Sequence, residues 1–328
     1  MKITVLGAGA WGTALAIHLA QRHPVTLWAR NAGHVADMSR ERANPRYLGD
    51  YIFPEALRLE ENLQAALGSA DLILSVVPTS GFREILRVIK GIGCKAPVVW
   101  ASKGLENGTA KLMHEVTAEE LPPNQLRGIL SGPSFAGELA KGLPTAITLA
   151  SADAAFASEA AAAMHGGTVR VYSSNDVVGV AVGGALKNVM AIAAGISDGM
   201  GFGSNARAAL ITRGLAEITR FGMALGGKQE TFMGLAGAGD LILTCTGDAS
   251  RNRTVGLRLA KGETLEQIVS SLGHVAEGVH TTREVFNRAR ELGVDMPITC
   301  EVNAVLSQGR SPRAAVENLL NREQKAEH

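Results

Sequence analysis

A chain of 328 residues, 46% of them hydrophobic, has enough apolar material for about two domain cores. Its 32 basic and 31 acidic side chains leave a net charge of +1, too small a field to attract nucleic acid or an anionic membrane, and neither partner is expected. Cys94, Cys245 and Cys300 are odd in number, far apart and without metal-ligand spacing. No metal site and no disulfide framework is therefore expected, and the expected location is a reducing cytoplasm.

The chain begins on a strand pattern, Lys2-Ile3-Thr4-Val5-Leu6, without the hydrophobic region and cleavage site of a signal sequence, so no targeting segment is expected. Gly7-Ala8-Gly9-Ala10-Trp11-Gly12 follows, then a helical run at 13–21 and a second strand at 25–28. A glycine turn set between a strand and a helix is the arrangement that binds a dinucleotide. Gly7 makes the tight turn, Gly9 lets the backbone approach a pyrophosphate, and Gly12 lets the helix pack on the strand, while the helix N-terminus receives the phosphates. The alternative is a turn that serves packing alone. The second strand ends Trp28-Ala29-Arg30, where an acidic residue normally takes the adenosine ribose. Arg30 suits a 2′-phosphate; the alternative is an exposed strand-end arginine that touches nothing.

After a helical segment near 32–42 and a link rich in proline and aromatics that reads as irregular, continuous apolar runs return. Leu72-Ile73-Leu74-Ser75-Val76-Val77 and Pro97-Val98-Val99-Trp100-Ala101 have the pattern of parallel strands buried on both faces. The second run ends in Ser102-Lys103-Gly104. Ligands of open α/β sheets sit at the carboxyl ends of strands, which places Lys103 within reach of the crevice, although a loop lysine is often only solvated. A strand at 128–130 runs into Ser131-Gly132-Pro133-Ser134-Phe135-Ala136-Gly137, a second glycine-containing loop on the same sheet edge that is open to a bound cofactor or is a packing turn. Strands at 145–150 and 168–172 flank a helix at 153–164 with Asp153 as its N-cap. Beyond Tyr172 no strand is expected, and the domain boundary is placed at residues 175/176.

From Asp176 onward the expectation is all-helical, with runs at 205–225, 257–261, 264–272, 281–292, 298–308 and 314–321, and a polar tail from Asn321 that frays. The helical half opens on Val177 to Ile196, an apolar stretch in which Lys187 is the one charge and Asn188 the other polar side chain. As a helix it would be roughly 30 Å long, enough to span a bilayer, but a mid-helix lysine costs about 3 kcal/mol there, so a buried helix is expected instead. Gly183, Gly184, Met190 and Ala191 surround Lys187 one turn either way, leaving a bare surface that another backbone or a ligand can approach. A lysine in such poor solvent is expected to give up its proton readily and so to serve proton transfer. The alternative is a lysine that snorkels or pairs with a buried acid. Further on, Gly237-Ala238-Gly239-Asp240 does not follow a strand and is no second dinucleotide turn. Asp240 and Thr244 share a face if that turn is helical, and Ser250-Arg251-Asn252 offers a hydroxyl, a guanidinium and an amide for a phosphate, or else a helix cap.

The chain resembles the bacterial-type NAD(P)-dependent glycerol-3-phosphate dehydrogenases over nearly its whole length. The resemblance runs through the glycine turn, Ala101-Ser102-Lys103-Gly104-Leu105-Glu106, Ser131-Gly132-Pro133-Ser134-Phe135-Ala136, Gly184-Ala185-Leu186-Lys187-Asn188-Val189, Ser204-Asn205-Ala206-Arg207 and Ser250-Arg251-Asn252-Arg253. It implies a Rossmann-like N-terminal domain at 1–175, a helical substrate domain at 176–328, and reduction of dihydroxyacetone phosphate to glycerol 3-phosphate for phospholipid synthesis, with NAD or NADP as cofactor. It further implies that Lys187 exchanges the proton and that Lys103, Gly132, Ser134, Asp240, Ser250, Arg251 and Asn252 hold substrate. The cofactor would be lined by Gly7, Gly9, Ala10, Trp11, Gly12, Arg30, Lys103, Ala136, Arg251, Val275 and Glu277. Ala10 departs from the serine common there, which removes one phosphate hydroxyl, and position 30 varies, so the choice between NADH and NADPH stays open. The expected partner is the small substrate, with a homodimer left open. A β-hydroxyacid dehydrogenase and a ketopantoate reductase share this architecture but act on carboxylates. A redox sensor that binds NAD(P)H without turnover would have no use for Lys187.

Overall fold

The computed structural model describes residues 1–272 and 276–323, which fold into two compact units. Val275 and residues 324–328 of the tail lie outside the described residues. The first unit comprises Met1–Lys103 and Met113–Ala181; the second comprises Gly104–Leu112 and the chain from Val182 on.

The first unit is built on one eight-stranded sheet: β1 Ile3–Leu6, β2 Val25–Trp28, β3 Leu57–Glu60, β4 Leu72–Ser75, β5 Val98–Trp100, β6 Arg127–Ser131, β7 Thr145–Ala150 and β8 Val169–Ser174. Its order is β3-β2-β1-β4-β5-β6-β7-β8, parallel throughout except where β7 runs antiparallel to β6. The chain winds outward from β1 to β3, then returns to β4 on the other side of β1, so the topological switch lies between β1 and β4. Both strands are buried along their whole length, as their continuous apolar sequences require. The helices of this unit are α1 Ala10–Leu19, α2 Ala32–Glu41, α3 Leu63–Leu67, α4 Thr79–Ile92, α5 Met113–Glu120, α6 Ala136–Ala140 and α7 Ala154–Met164. In α4 the buried residues Phe82, Ile85, Leu86 and Ile89 repeat at helical spacing and cover the sheet-side stripe. Asp153 caps α7, its carboxylate accepting from Phe156 N at 2.8 Å.

The stretch expected to be irregular instead holds β3 and α3. Leu57 is the only fully buried residue of β3, so the strand has almost no apolar signature, and it is its pairing with β2 from Val25↔Leu57 to Trp28↔Glu60 that defines it. Helices α4, α5 and α6 are likewise additions to the elements the sequence suggested, and β8 runs two residues past Tyr172, to Ser174.

In the second unit the described residues of the main run are helical: α8 Val177–Gly199, which begins in the first unit, α9 Gly203–Ala224, α10 Gln229–Met233, a single π-helical turn Leu235–Gly239, α11 Asp240–Thr246, α12 Arg251–Ala260, α13 Leu265–Leu272, α14 Glu277–Glu291, α15 Pro297–Ser307 and α16 Pro312–Leu320. Helix α8 is long and apolar enough to cross a membrane, yet 89% of its most apolar window is buried within the fold, so it is packed as a core helix. Its small residues are explained by what lies against them. A Cβ added at Gly183 would stand 2.4 Å from Ala236 O of the π turn, one at Gly195 2.1 Å from Arg253 O, and one at Gly256 of α12 2.0 Å from Ile192 O. The backbones of α8 and α12 therefore touch directly, with no side chain between them. The stretch Gly104–Leu112 is held to α14, where Arg283 Nη2 donates to Asn107 Oδ1 at 2.8 Å and Arg288 Nη1 to Ala110 O at 3.0 Å.

Candidate active site

In the first unit the glycine turn sits at the switch point. Gly7 has φ +113°, a conformation that disfavours any side chain, and a Cβ there would lie 2.8 Å from Val76 O at the end of β4. A Cβ on Gly12 would lie 2.0 Å from Gly7 O, so this glycine serves the packing of α1 on β1. Gly9 is different: a Cβ there would meet nothing within 4 Å. Packing does not demand that glycine, and the open side of the backbone is where a pyrophosphate would approach. Helix α1, which starts at Ala10, has no side-chain cap and no acidic residue in its first turn, so its leading N–H groups suit an anion. The buried Trp11 indole N–H has no acceptor among the described residues, a donor to spare beside the same turn. These residues fit a dinucleotide. Arg30, two residues beyond β2, is exposed and makes no hydrogen bond or ion pair among the described residues.

At the carboxyl ends of β5 and β6 three of the expected residues meet on one oxygen. Lys103 Nζ donates to Gly132 O at 3.2 Å and Ser134 Oγ to the same carbonyl at 3.1 Å. Gly132 has φ +133°, and a Cβ there would lie 3.0 Å from Ile147 Cα, which explains why this loop needs glycine. Ala136 opens α6 directly after that loop.

The second unit holds the buried lysine. Lys187 Nζ donates to Asp240 Oδ1 at 2.6 Å and to Thr244 Oγ1 at 3.0 Å. Asp240 is 1% exposed and Lys187 9%. The surface around Lys187 is thus not bare: Gly183 admits the π turn, which leads straight into Asp240, and the ammonium faces a carboxylate. The buried-pair alternative is what the structure contains, and it makes the lysine a held charge with its direction fixed by these acceptors. Thr244 stands one turn beyond Asp240 and its hydroxyl also reaches Asp240 O at 2.6 Å, so the shared face expected of this turn exists. Cys245, next in α11, is pushed up to about 12 by burial, and Lys187, Asp198, Arg253 and Asp240 are the charges around it. It stays a neutral thiol.

Asn188 joins this group to the other expected residues. Its Oδ1 accepts from Asn252 Nδ2 at 2.9 Å, and Asn252 Oδ1 accepts from Gly278 N at 3.1 Å, in the first turn of α14 beside Glu277. Ser250 is the N-cap of α12, with its hydroxyl accepting from Arg253 N at 3.2 Å, so the helix-cap alternative holds for the serine. Arg251, the first residue of α12, is exposed and has no hydrogen bond or ion pair among the described residues. A guanidinium next to a helix N-terminus with no acid in its first turn is suited to an anion. Hydrogen bonds therefore link Lys187 to Asp240 and Thr244 of α11, and its neighbour Asn188 to Asn252 of α12 and on to Gly278 of α14, with Arg251 adjoining Asn252 and Glu277 adjoining Gly278 in the chain. Sequence reasoning gave Thr244 and Asn188 no role, although a polar residue next to Lys187 in an apolar helix was a usable signal.

A doubly wound sheet with such a turn at its switch point, followed by a helical unit with a buried, oriented lysine, is the build of a dinucleotide-dependent oxidoreductase. Residues 2–157 match the family model described as NAD-dependent glycerol-3-phosphate dehydrogenase N-terminus, and residues 176–317 match the corresponding C-terminus. The chain belongs to the NAD-dependent glycerol-3-phosphate dehydrogenase family. It is 68% identical to a glycerol-3-phosphate dehydrogenase [NAD(P)+] from Methylobacillus flagellatus, covering 100% of this chain and 99% of the relative, and 58% identical to one from Nitrosospira multiformis, with coverage of 100% and 99%. The crystal structure of glycerol-3-phosphate dehydrogenase from Coxiella burnetii is 44% identical, covers 98% of this chain and 99% of its own, and superposes with a TM-score of 0.94.

Proposed function

We infer that this chain catalyses the reversible reduction of dihydroxyacetone phosphate to sn-glycerol 3-phosphate with NADH or NADPH, feeding glycerophospholipid synthesis in the cytoplasm. The observation that carries the reading is the hydrogen bond from Asn252 to Asn188, which ties an anion cradle to the residue next to a buried lysine. A substrate with a phosphate at one end and a carbonyl near the other needs those two functions at a fixed spacing.

A nicotinamide dinucleotide held at the glycine turn Gly7 to Gly12 would supply the hydride that C2 takes up. Lys187 Nζ donates a proton to the oxygen that becomes the hydroxyl, and its charge stabilises that oxygen as negative charge develops. Asp240 and Thr244 hold the ammonium in one direction, so the proton is presented without a search over rotamers. Arg251 and Asn252 take the phosphate, with Ser250 at the start of the same turn; Lys103, Gly132 and Ser134 form a further substrate contact. Gly7, Gly9, Ala10, Trp11, Gly12, Arg30, Ala136 and Glu277 serve the dinucleotide. Residues 1–175 would then carry the cofactor and 176–328 the proton donor and phosphate cradle. A homodimer is the assembly we propose, to be read by light scattering.

The deciding experiment follows absorbance of NADH and NADPH with dihydroxyacetone phosphate, dihydroxyacetone and a panel of 2-keto acids. Rapid oxidation with the phosphate and very little with dihydroxyacetone is expected, because loss of the anion leaves a guanidinium without its partner and removes binding energy that orients the carbonyl. Equal rates on the two triose compounds, or preference for a 2-keto acid, would refute the substrate. Cofactor binding with no turnover on any of them would favour a redox sensor.

A further inference from the structure

The first turn of α12 carries the anion cradle, and what sets its direction is a buried ion pair not so far given a role. Arg253 is two residues after Arg251. Its Nε and Nη2 donate to Asp198 Oδ2 at 2.9 and 2.6 Å, with the Arg253 and Asp198 side chains 11% and 10% exposed. Arg207 Nη1 of α9 donates to the same oxygen at 3.0 Å, and Arg253 Nη1 reaches Asp248 Oδ1 at 3.0 Å. Asp248 is 100% exposed, so that outer contact is screened by water and contributes little.

Asp198 lies on α8 three turns from Lys187, and at 3.6 residues per turn the two side chains leave the helix on nearly the same stripe, about 16 Å apart along the axis. Helix α12 lies against the neighbouring face of α8, about a quarter-turn round from that stripe, where Gly195 and Gly256 meet. It is pinned there by neighbouring residues reaching in opposite directions: Asn252 toward Asn188 beside Lys187, and Arg253 toward Asp198 at the far end. Two anchors on successive residues fix not only where α12 sits but its rotation about its own axis. The glycine contacts set how closely the two backbones approach, and the two side-chain anchors add directional bonds that hold the rotation. We propose that Arg253 and Asp198 are positioning residues for the reaction, whose ion pair sets the rotation of the first turn of α12 and so aims Arg251 at the phosphate of the substrate. This rests on the proposed reduction of a phosphorylated ketone.

The test uses the full-length enzyme with Arg253→Met, Arg253→Lys, Asp198→Asn and, as a control on the solvated contact, Asp248→Asn. The readouts are kcat and KM for dihydroxyacetone phosphate, inhibition by inorganic phosphate, the residual rate on dihydroxyacetone, and NADH binding by fluorescence. Misplacement by about 1 Å away from the chemistry is enough to cost up to roughly 100-fold. Arg253→Met should therefore raise KM and weaken phosphate inhibition by about tenfold or more, with far smaller changes in the dihydroxyacetone rate and in NADH binding. Arg253→Lys keeps the charge and should recover part of the loss, Asp198→Asn should fall between, and Asp248→Asn should match the wild type. A merely structural pair would lower thermal stability without moving KM or phosphate inhibition, and that result would overturn the proposal. If Arg253→Met does not fold, Asp198→Asn reads the same two constants, since the amide keeps the shape and one acceptor oxygen. Failure of the wild type to reduce dihydroxyacetone phosphate or to be inhibited by phosphate would instead overturn the reading beneath it.

Discussion

Replacing Lys187 by methionine separates chemistry from stability, because the two effects have different remedies. The substitution fills a similar volume, but it removes the ammonium that stands 2.6 Å from Asp240 Oδ1. Asp240 is 1% exposed, so water cannot replace that partner, and the carboxylate is left buried beside an apolar side chain. Breaking a buried pair from one side costs about 3–5 kcal/mol, while a folded domain has about 5–15 kcal/mol in hand. Lys187→Met should thus remain folded but show a clearly lower midpoint in urea. Adding Asp240→Asn removes the carboxylate that has lost the Lys187 ammonium and should restore most of that midpoint, because a neutral amide needs no counter-charge and can still accept from Thr244. Turnover must not follow stability back. Loss of a general acid alone is worth about 10² to 10⁴ in rate, and the lost charge adds to it, so both variants should be slow by at least that factor. Urea titration and single-turnover NADH oxidation on the same preparations give both numbers. A double variant that regains turnover along with stability would show that Lys187 was a structural residue; a single variant as stable as the wild type would show that the Asp240 carboxylate does not depend on the ammonium.

Arg30→Asp should impair NADPH far more than NADH in steady-state assays, since a carboxylate repels the 2′-phosphate and accepts from ribose hydroxyls; equal effects would leave Arg30 without a cofactor role. Arg251→Ala should narrow the gap between dihydroxyacetone phosphate and dihydroxyacetone by harming the phosphorylated substrate most, measured as kcat/KM. Burial pushes Glu217 up to about 7 from 4.5, against the charged form favoured by Ile298 N, Thr299 N and the Thr299 hydroxyl. The folded state then holds this proton more tightly than the unfolded chain, so its stabilisation is complete below about pH 4.5 and is lost as pH rises through about 7, by about 3 kcal/mol in all. Glu217→Gln should remove that slope from Tm measured between pH 5 and 8. Cys245, fully buried and pushed up to about 12 by that burial, should resist iodoacetamide in the native protein and react only on unfolding, which mass spectrometry of the alkylated peptides would read.

What the sequence revealed of all this depended on whether one element or two were needed to see it. The apolar runs ending at Ser75 and Trp100 had to be buried strands, and Gly7 to Gly12 had to be a turn, because each signal is contained in a few consecutive residues. Edge strand β3 was hidden for the opposite reason: Leu57–Glu60 is a strand only because β2 lies beside it. The same distinction runs through the site. Lys187 was conspicuous as a lone charge in an apolar helix, but its partner lies 53 residues on, and no spacing rule connects α8 to α11. The glycines near Lys187 predicted that something would come close without saying what. The structure supplies the answer, and it changes the setting of the lysine, from a proton-transfer group on a bare surface to one oriented by Asp240 and Thr244.

That change bears on how the site is built. A lysine alone on small residues would be free to swing, and its proton would be presented in many directions. Here Gly183 and Gly195 of α8 are filled by neighbouring backbone. They bring in backbone, from the π turn at Gly183 and from α12 at Gly195, and each incoming backbone delivers a side chain to a defined place: the π turn leads to Asp240, and α12 carries Asn252 and Arg253 to Asn188 and Asp198. Replacing Gly183 or Gly195 by alanine should accordingly do more than the same change elsewhere in a helix, where it is mildly favourable. The added methyl would have to displace a backbone oxygen lying 2.4 or 2.1 Å away, and the element displaced is the one that holds a functional residue. Gly183→Ala should disturb Lys187 through Asp240 and lower kcat, whereas Gly195→Ala should disturb the phosphate cradle and raise KM. Two methyl groups on one helix that move the same constant equally would refute this account of α8 as the ruler against which the proton donor and the anion cradle are set.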